Sequence, residues 1–294
     1  MKYFLLLSII SIIFISGCTQ KAAASTFNNN VVTIEDFSVS ASEPYSGSTV
    51  NIAFDIKNNG DKTVPRVTVN FFDTPGFTSL SLECGGLASS DKTKCEFTNL
   101  DSLDNKRVSI ALKTAPISSP TTFTVSISVD YDYSGSIEAT IPVIDTSIIK
   151  KPSPNHLFSQ SQPSIGPVVF EIQPLLREKV VDDKTVTENW AAKNEVIVTK
   201  FILKNVGNIP NTHPVSIPAG KVKFTLTNLQ AVSCSNFDSS GMSQKTVSES
   251  LNTLICNFKP ISDQSEFSGI IKLNYDYTYE YIKGVDFEIK PEPK

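Results

Sequence analysis

The chain has 294 residues, with 26 basic and 30 acidic side chains and a formal charge of −4. Mild acidity without any basic run longer than a pair excludes a nucleic-acid partner, because phosphate binding is carried by clustered Lys and Arg. Only two histidines occur, and there is no Gly-x-Ser-x-Gly elbow, P-loop, Gly-x-Gly-x-x-Gly or His-Glu-x-x-His pattern, so neither catalysis nor a cofactor is expected.

The chain opens with Lys2, an apolar run from Tyr3 to Ile15, and the segment Ile15-Ser16-Gly17-Cys18. A positive start, a short apolar stretch and small residues at the cut define a secretory leader, and the cysteine after them marks a lipobox. Residues 1–17 are therefore expected to be removed and Cys18 to carry lipid, with the membrane as partner through that lipid. Residues 18–30 are then a flexible stalk. The competing reading is an uncleaved anchor. A spanning helix needs about 20 apolar residues, and polar Thr19-Gln20-Lys21 arrives too early.

Residues 31–145 show a period of two. In Val50-Asn51-Ile52-Ala53-Phe54-Asp55-Ile56 the even positions are apolar, as on a strand with one face in a core. Asn58-Asn59-Gly60-Asp61 has hairpin-turn chemistry, since Asn and Gly tolerate positive φ. A strand is expected over residues 66–71, then a cysteine pair, then alternation from Phe123 to Val129, and a final strand over 137–144. Residues 146–167 are rich in proline and serine and read as a semi-extended linker that holds residues 168–290 apart from residues 31–145.

Residues 168–290 repeat the first half in order. Phe54-Asp55-Ile56-Lys57-Asn58-Asn59-Gly60 matches Phe201-Ile202-Leu203-Lys204-Asn205-Val206-Gly207, and Cys95-Glu96-Phe97 is echoed by Cys256-Asn257-Phe258. Val129-Asp130-Tyr131-Asp132-Tyr133 corresponds to Leu273-Asn274-Tyr275-Asp276-Tyr277. Such order indicates a tandem duplication, and residues 291–294 form a tail. One helix is expected, Thr187 to Val196 around the sole tryptophan, Trp190, in an insertion that the first half lacks.

With Cys18 given to lipid, Cys84, Cys95, Cys234 and Cys256 allow three pairings. Export to an oxidising setting favours the two local bridges, Cys84–Cys95 and Cys234–Cys256; a metal site is the rival, and zinc ligands come as CxxC pairs or with histidines, whereas the only histidines, His156 and His213, lie near prolines in loop-like stretches. The carboxylate pairs Asp101/Asp104, Asp130/Asp132 and Asp182/Asp183 are either weak calcium ligands or solvated strand faces and turns. In Tyr275-Asp276-Tyr277-Thr278-Tyr279-Glu280-Tyr281 the tyrosines share one strand face. They form either an exposed platform for a glycan or partner protein or an inward core row with hydroxyls at the rim. Trp190 is likewise a contact anchor or a plug for its own sandwich.

The stretch Phe37-Ser38-Val39-Ser40-Ala41-Ser42-Glu43-Pro44-Tyr45-Ser46-Gly47-Ser48-Thr49-Val50, continuing to Asn58-Asn59-Gly60, resembles the opening of a CARDB-type Ig-like domain and of the S-layer-associated Ig-like domains of archaea. The resemblance implies an all-β chain of two tandem antiparallel sandwiches from the cell surface. It also implies a role in adhesion or envelope architecture. The expectation is thus a non-catalytic, membrane-anchored spacer or adhesion lipoprotein that meets an envelope protein or glycan. The alternative is an accessory lipoprotein capturing a ligand at the junction of the halves or on the tyrosine-rich strand.

Overall fold

The computed structural model describes residues 30–151, 157–176, 178–181, 184–207, 215–248 and 253–293. The leader, Cys18, the stalk as far as residue 29, His156, His213, Asp182 and Asp183 lie outside the described residues. The described chain is all-β. The first half holds β1 (Val32–Val39), β2 (Thr49–Asn58), β3 (Val64–Phe72), β4 (Phe77–Cys84), β5 (Leu87–Ala88), β6 (Lys94–Leu100), β7 (Asn105–Thr114) and β8 (Thr121–Ile144). Next come β9 (Ser159–Gln160), β10 (Val168–Pro174), β11 (Glu178–Val181), β12 (Lys184–Thr187), β13 (Ala191–Ala192) and β14 (Ile197–Asn205). The chain continues with β15 (Ser216–Ile217), β16 (Val222–Thr227), β17 (Leu229–Cys234), β18 (Val247–Ser248), β19 (Thr253–Pro260) and β20 (Glu266–Ile289).

Alternation of apolar and polar residues predicts these strands where it is sustained, as in β2, whose Val50, Ile52, Phe54 and Ile56 are all fully buried. Helix does not form between Thr187 and Val196. That stretch supplies the end of β12 and the two-residue β13, which runs parallel to the end of β8. Ala191 and Ala192 are taken by that sheet edge, so tertiary pairing overrides their helical propensity.

Five strands in the order β1-β2-β7-β4-β5 cover one end of a seven-stranded sheet, and four in the order β10-β14-β19-β17 complete the second sandwich. The seven-stranded sheet runs β16-β20-β8-β3-β6, with β9 and β13 added at β8. At its centre β8 and β20, each 24 residues long, pair antiparallel from Thr121↔Ile289 to Ile144↔Glu266. This corrects the expectation that a proline-rich linker holds two bodies apart. One sheet passes through both halves, and one apolar core contains side chains from each.

The long ladder also exchanges strands. Residues 126–131 of β8 pair with β3, but its far end pairs with β9 and β13 of the second half. Residues 270–275 of β20 pair with β16, whereas its far end reaches the first half. There Phe287 meets Phe77 edge-on with centroids 5.5 Å apart, Lys283 sits over Phe37, and Lys290 N–H donates to the Pro44 carbonyl at 2.9 Å. Each half thus closes its sandwich with the other's last strand. Tyr133 and Tyr277, equivalent in the repeat, face each other in the register. A pseudo-two-fold axis passes through that pair.

Asn58-Asn59-Gly60-Asp61 is a corner between sheets and not a hairpin turn. It takes the chain from β2, paired with β1 and β7, to β3, paired with β6 and β8. Asn58 builds the corner by accepting from Gly60 N–H at 2.9 Å and donating to the Lys62 and Leu100 carbonyls. Asn205, equivalent to Asn58 in the repeat, accepts from Gly207 N–H at 3.0 Å.

Candidate functional site

The junction on the pseudo-axis gathers most of the residues singled out in the sequence, on two opposite faces of the β8–β20 ladder. Odd-numbered positions of both strands point into the core near the axis. Tyr275, Tyr277, Tyr279 and Tyr281 are between 1% and 3% exposed, and Tyr131 and Tyr133 of β8 join them. Tyr131 packs on Tyr279 and Tyr133 on Tyr277, with centroids 5.7 and 6.2 Å apart, while Phe170 meets Tyr275 edge-on at 5.0 Å. An exposed tyrosine platform is therefore absent, and the four rings offer no surface to a glycan or partner. The rings are the junction's core, where aromatic area is most valuable when removed from water.

Tyr279 donates to Asn205 Oδ1 at 3.4 Å, and the other five hydroxyl groups divide into two sets. Tyr133 donates to Asp61 Oδ1 at 2.8 Å and Tyr275 to the Val168 carbonyl at 3.1 Å. Those of Tyr131, Tyr277 and Tyr281 are buried and face the main chain at Val31, Val168 and Ile34 without closing a hydrogen bond of normal geometry. Burial pushes the Tyr275 phenol up to about 12, those of Tyr277 and Tyr281 higher still, and that of Tyr131 well above its ordinary value. These four are neutral near pH 7. Gly135 makes room for the row, since a Cβ there would collide with the Tyr275 ring.

Even-numbered positions face outward and are polar. Arg66 grips Asp132 with two bonds, Nε to Oδ2 at 2.9 Å and Nη2 to Oδ1 at 3.0 Å, and this fork holds the Asp132 carboxyl below its usual range. Across the ladder Thr278 donates to Asp132 Oδ1 and Ser134 to Asp276 Oδ1, both at 2.6 Å, a symmetric pair about the axis. Asp130 accepts from Asn70 Nδ2 at 3.0 Å; partial burial and the facing Glu280 push its carboxyl up. A shallow cleft of about 460 Å³ opens here, lined by Asp132, Ser134, Lys221, Asp276 and Thr278.

Asp132 is satisfied by Arg66 and Thr278, and Asp101 accepts from Thr63 at 2.8 Å while Asp104 pairs with Lys106 at 3.1 Å. These carboxylates serve strand and turn structure. Among the described residues no three His, Cys, Asp or Glu side chains converge closely enough to hold a metal ion. The Arg66–Asp132 fork is the element that sequence reasoning missed. Its signal was an Arg near the start of β3, whose meaning appears only once that strand is placed beside the Asp130–Asp132 segment of β8.

Cys84 and Cys95 are joined, as are Cys234 and Cys256. Their expected equivalence fails. Cys84 lies on β4 in the five-stranded sheet and Cys95 on β6 in the facing seven-stranded sheet, so that bridge crosses the core. Cys234 and Cys256 sit directly opposite on adjacent strands β17 and β19 of one sheet. The local echo Cys-x-Phe therefore occurs on topologically different strands. Trp190, 3% exposed, packs with Ile144 and Ala192 beside Ile149 at the end of β8, a plug and not a surface anchor.

No family model matches the chain, and no curated protein matches it. Among solved structures, the C-terminal domain of the AgI/II polypeptide BspA of Streptococcus agalactiae aligns over 89% of this chain and 99% of its own, at 9% identity and a TM-score of 0.22. Red sea bream transglutaminase aligns over 90% of this chain and 32% of its own, at 9% identity and a TM-score of 0.20. The collagen adhesin CNA of S. aureus aligns over 90% and 93%, at 7% identity and a TM-score of 0.14. Scores this low carry no argument about this chain.

Proposed function

We propose that the chain is a non-catalytic surface lipoprotein, moored in the membrane through lipid on Cys18, whose body acts as a stiff spacer or adhesion module of the cell envelope. The observation that supports this is the uninterrupted pairing of β8 with β20 over 24 residues. At roughly 3.3 Å per residue such a ladder is about 80 Å long, and it welds both sandwiches into one body. A hinge between the halves would require breaking backbone hydrogen bonds and exposing the tyrosine row. Kinship with CARDB-type modules belongs to the same proposal, and the body's partner is then an envelope protein or a glycan.

The experiment pairs fractionation with scattering. Cys18→Ser should move the protein from the membrane fraction into the medium, and solution scattering of the released chain should fit one rigid elongated particle. A cytoplasmic product, or scattering that needs two independently moving bodies, would overturn the reading. The cleft of about 460 Å³ on the pseudo-axis favours a second reading, ligand capture at the junction by an accessory lipoprotein. Under that reading Lys221→Glu, at the cleft rim, abolishes capture while leaving the melting temperature in place.

A further inference from the structure

The five-stranded and four-stranded sheets both cover one face of the seven-stranded sheet, and the chain enters the body between them. Asn30 and Val31 are fully buried beside the tyrosine row. The Val31 carbonyl accepts from Asn59 N–H at 2.7 Å, and a Cβ on Gly207, just past the end of β14, would meet Asn30 Oδ1. Entry is thus at the waist, on the side of the two smaller sheets. Cys18 precedes Asn30 by twelve residues, a reach of at most about 40 Å at full extension. The β8–β20 ladder is about 80 Å long, so each end of the body lies about 40 Å from the waist. An upright body would need all of that reach, whereas a body lying along the membrane needs little of it.

The two smaller sheets turn unlike surfaces outward. On β2 and β7, the central strands of the first, the outward positions hold no aliphatic side chain larger than alanine, and Arg107 and Lys57 pair with Asp55 and Glu35 at 3.0 and 3.1 Å. On β14 and β19 the outward positions hold Val198, Ile202 and Ile255 among Lys200, Lys204 and Lys259. Ile255 is 43% exposed and stands opposite Lys200 in the register. The four strands of this sheet bring one outward carboxylate, Glu171, which pairs with Lys204. The far face of the body has the reverse character. Outward positions from Asp130 to Glu138 on β8 hold three carboxylates, and those from Asp276 to Glu288 on β20 hold four, with no cation among them.

We propose that the outer face of the β10-β14-β19-β17 sheet rests on the anionic headgroups of the membrane that holds Cys18. The proposal rests on the lipid reading of Cys18 and narrows the function from spacer to adhesion module, since a body lying along the leaflet turns the acidic large sheet and its cleft outward. Three features of the chain agree on this orientation: where it enters the body, how far Cys18 can reach, and which face carries cations. Lysines set among aliphatic side chains suit such a surface, because the ammonium groups meet phosphate while Ile and Val enter the headgroup layer. A negative leaflet repels the carboxylate-rich face.

The test uses the full chain carrying Cys18→Ser and vesicles of phosphatidylcholine, with or without phosphatidylglycerol, sedimented at low salt. Expected is binding to the phosphatidylglycerol vesicles alone, falling as salt rises. At about five-fold for each lysine at an anionic leaflet, Lys200→Glu with Lys259→Glu should weaken binding at least 10-fold. Lys272→Glu, on the far face, should leave it unchanged. All three lysines lie outside the core, so the variants should melt with the parent. Absence of binding, equal binding to both vesicles, or a loss that Lys272→Glu shares overturns the proposal. Release from cells by Cys18→Ser without vesicle binding refutes the face and keeps the lipid, whereas vesicle binding by a chain that Cys18→Ser fails to release refutes the lipid and keeps the face.

Discussion

The two halves of the chain solve one problem with the same long strands and then diverge at their outer flanks. In each, the sandwich is finished by the far end of the other half's last strand. In the first, β5 and β6 close the flank and a disulfide clamps the two sheets together; in the second, β16 and β17 are the last strands on their paths among the described residues and the disulfide ties two neighbours within a sheet. Exchange therefore belongs to the duplicated plan, while closure of the flank does not. A duplication preserves what the axis needs and leaves the periphery free to vary.

The sharpest way to break this comparison is to shorten the chain after Thr278. The deletion removes Tyr279, Tyr281, Phe287 and Ile289, each at most 1% exposed. At about 1.5–3 kcal/mol for each large buried side chain the loss is about 6–12 kcal/mol, comparable with the whole stability of a domain. Hydrogen exchange should show protection lost from β1, β2 and β7 of the first half while β10, β14 and β19 keep theirs. The opposite pattern would mean that the strands are not exchanged.

The disulfides give the next largest effect. In the chain-entropy model loops closed at separations of 11 and 22 residues are each worth about 3 kcal/mol, with the longer ahead by about 0.6 kcal/mol. The cross-sheet bridge should reverse that order. Replacing Cys84 and Cys95 by Ser frees β6 from the opposite sheet, whereas replacing Cys234 and Cys256 leaves β17 and β19 still paired by their backbones. Urea denaturation of the two double variants checks this, and a larger loss in the second half would make loop length the controlling factor.

Much of the architecture was legible because alternation is a local signal. The strand pattern and both cysteine pairings were readable from the chain. The exchange was not. Ser134-Gly135-Ser136 has the composition of a turn, and a strand that bends back shows the same alternation as one that runs straight on. The clue lies in phase, since odd positions stay inward from Val125 to Val143, right through Gly135. Whether a tyrosine row faces core or solvent is likewise undetermined by period alone, because it depends on which sheet covers it. Trp190 and the cleft depend on contacts distant in sequence for the same reason.

The tyrosine row makes stability fall in alkali. A phenol whose folded pKa is raised favours the fold while it is neutral; that advantage is complete below its ordinary value of 10 and disappears as pH rises through the folded value. For Tyr275, raised to about 12 by burial, the window is about pH 10–12 and the loss about 2–3 kcal/mol. Melting temperatures across that range should fall steeply, and Tyr275→Phe should flatten the fall. An unchanged slope would mean that the ring is wetter than its burial implies.

The smallest effect tests the axis from its outer side. Asp130 and Asn274 hold equivalent places in the repeat, yet Asp130 faces Glu280 directly across the ladder and Asn274 faces Ser136. Partial burial, reinforced by Glu280, pushes the Asp130 carboxyl up, so its protonated form favours the fold below its ordinary value and that contribution is lost as pH rises through the folded value. At neutral pH the ionised group therefore costs stability. Because Asp130 is only partly buried, screening limits the cost to a few tenths of a kcal/mol. Asp130→Asn should keep an oxygen for Asn70, copy the second half's solution and raise stability slightly at pH 7. At pH 3 the gain should vanish, since Asp130 is then protonated. A variant that is less stable at pH 7 would show that this carboxylate is held ionised by a favourable interaction, and the first half would then differ from the second in use as well as in sequence.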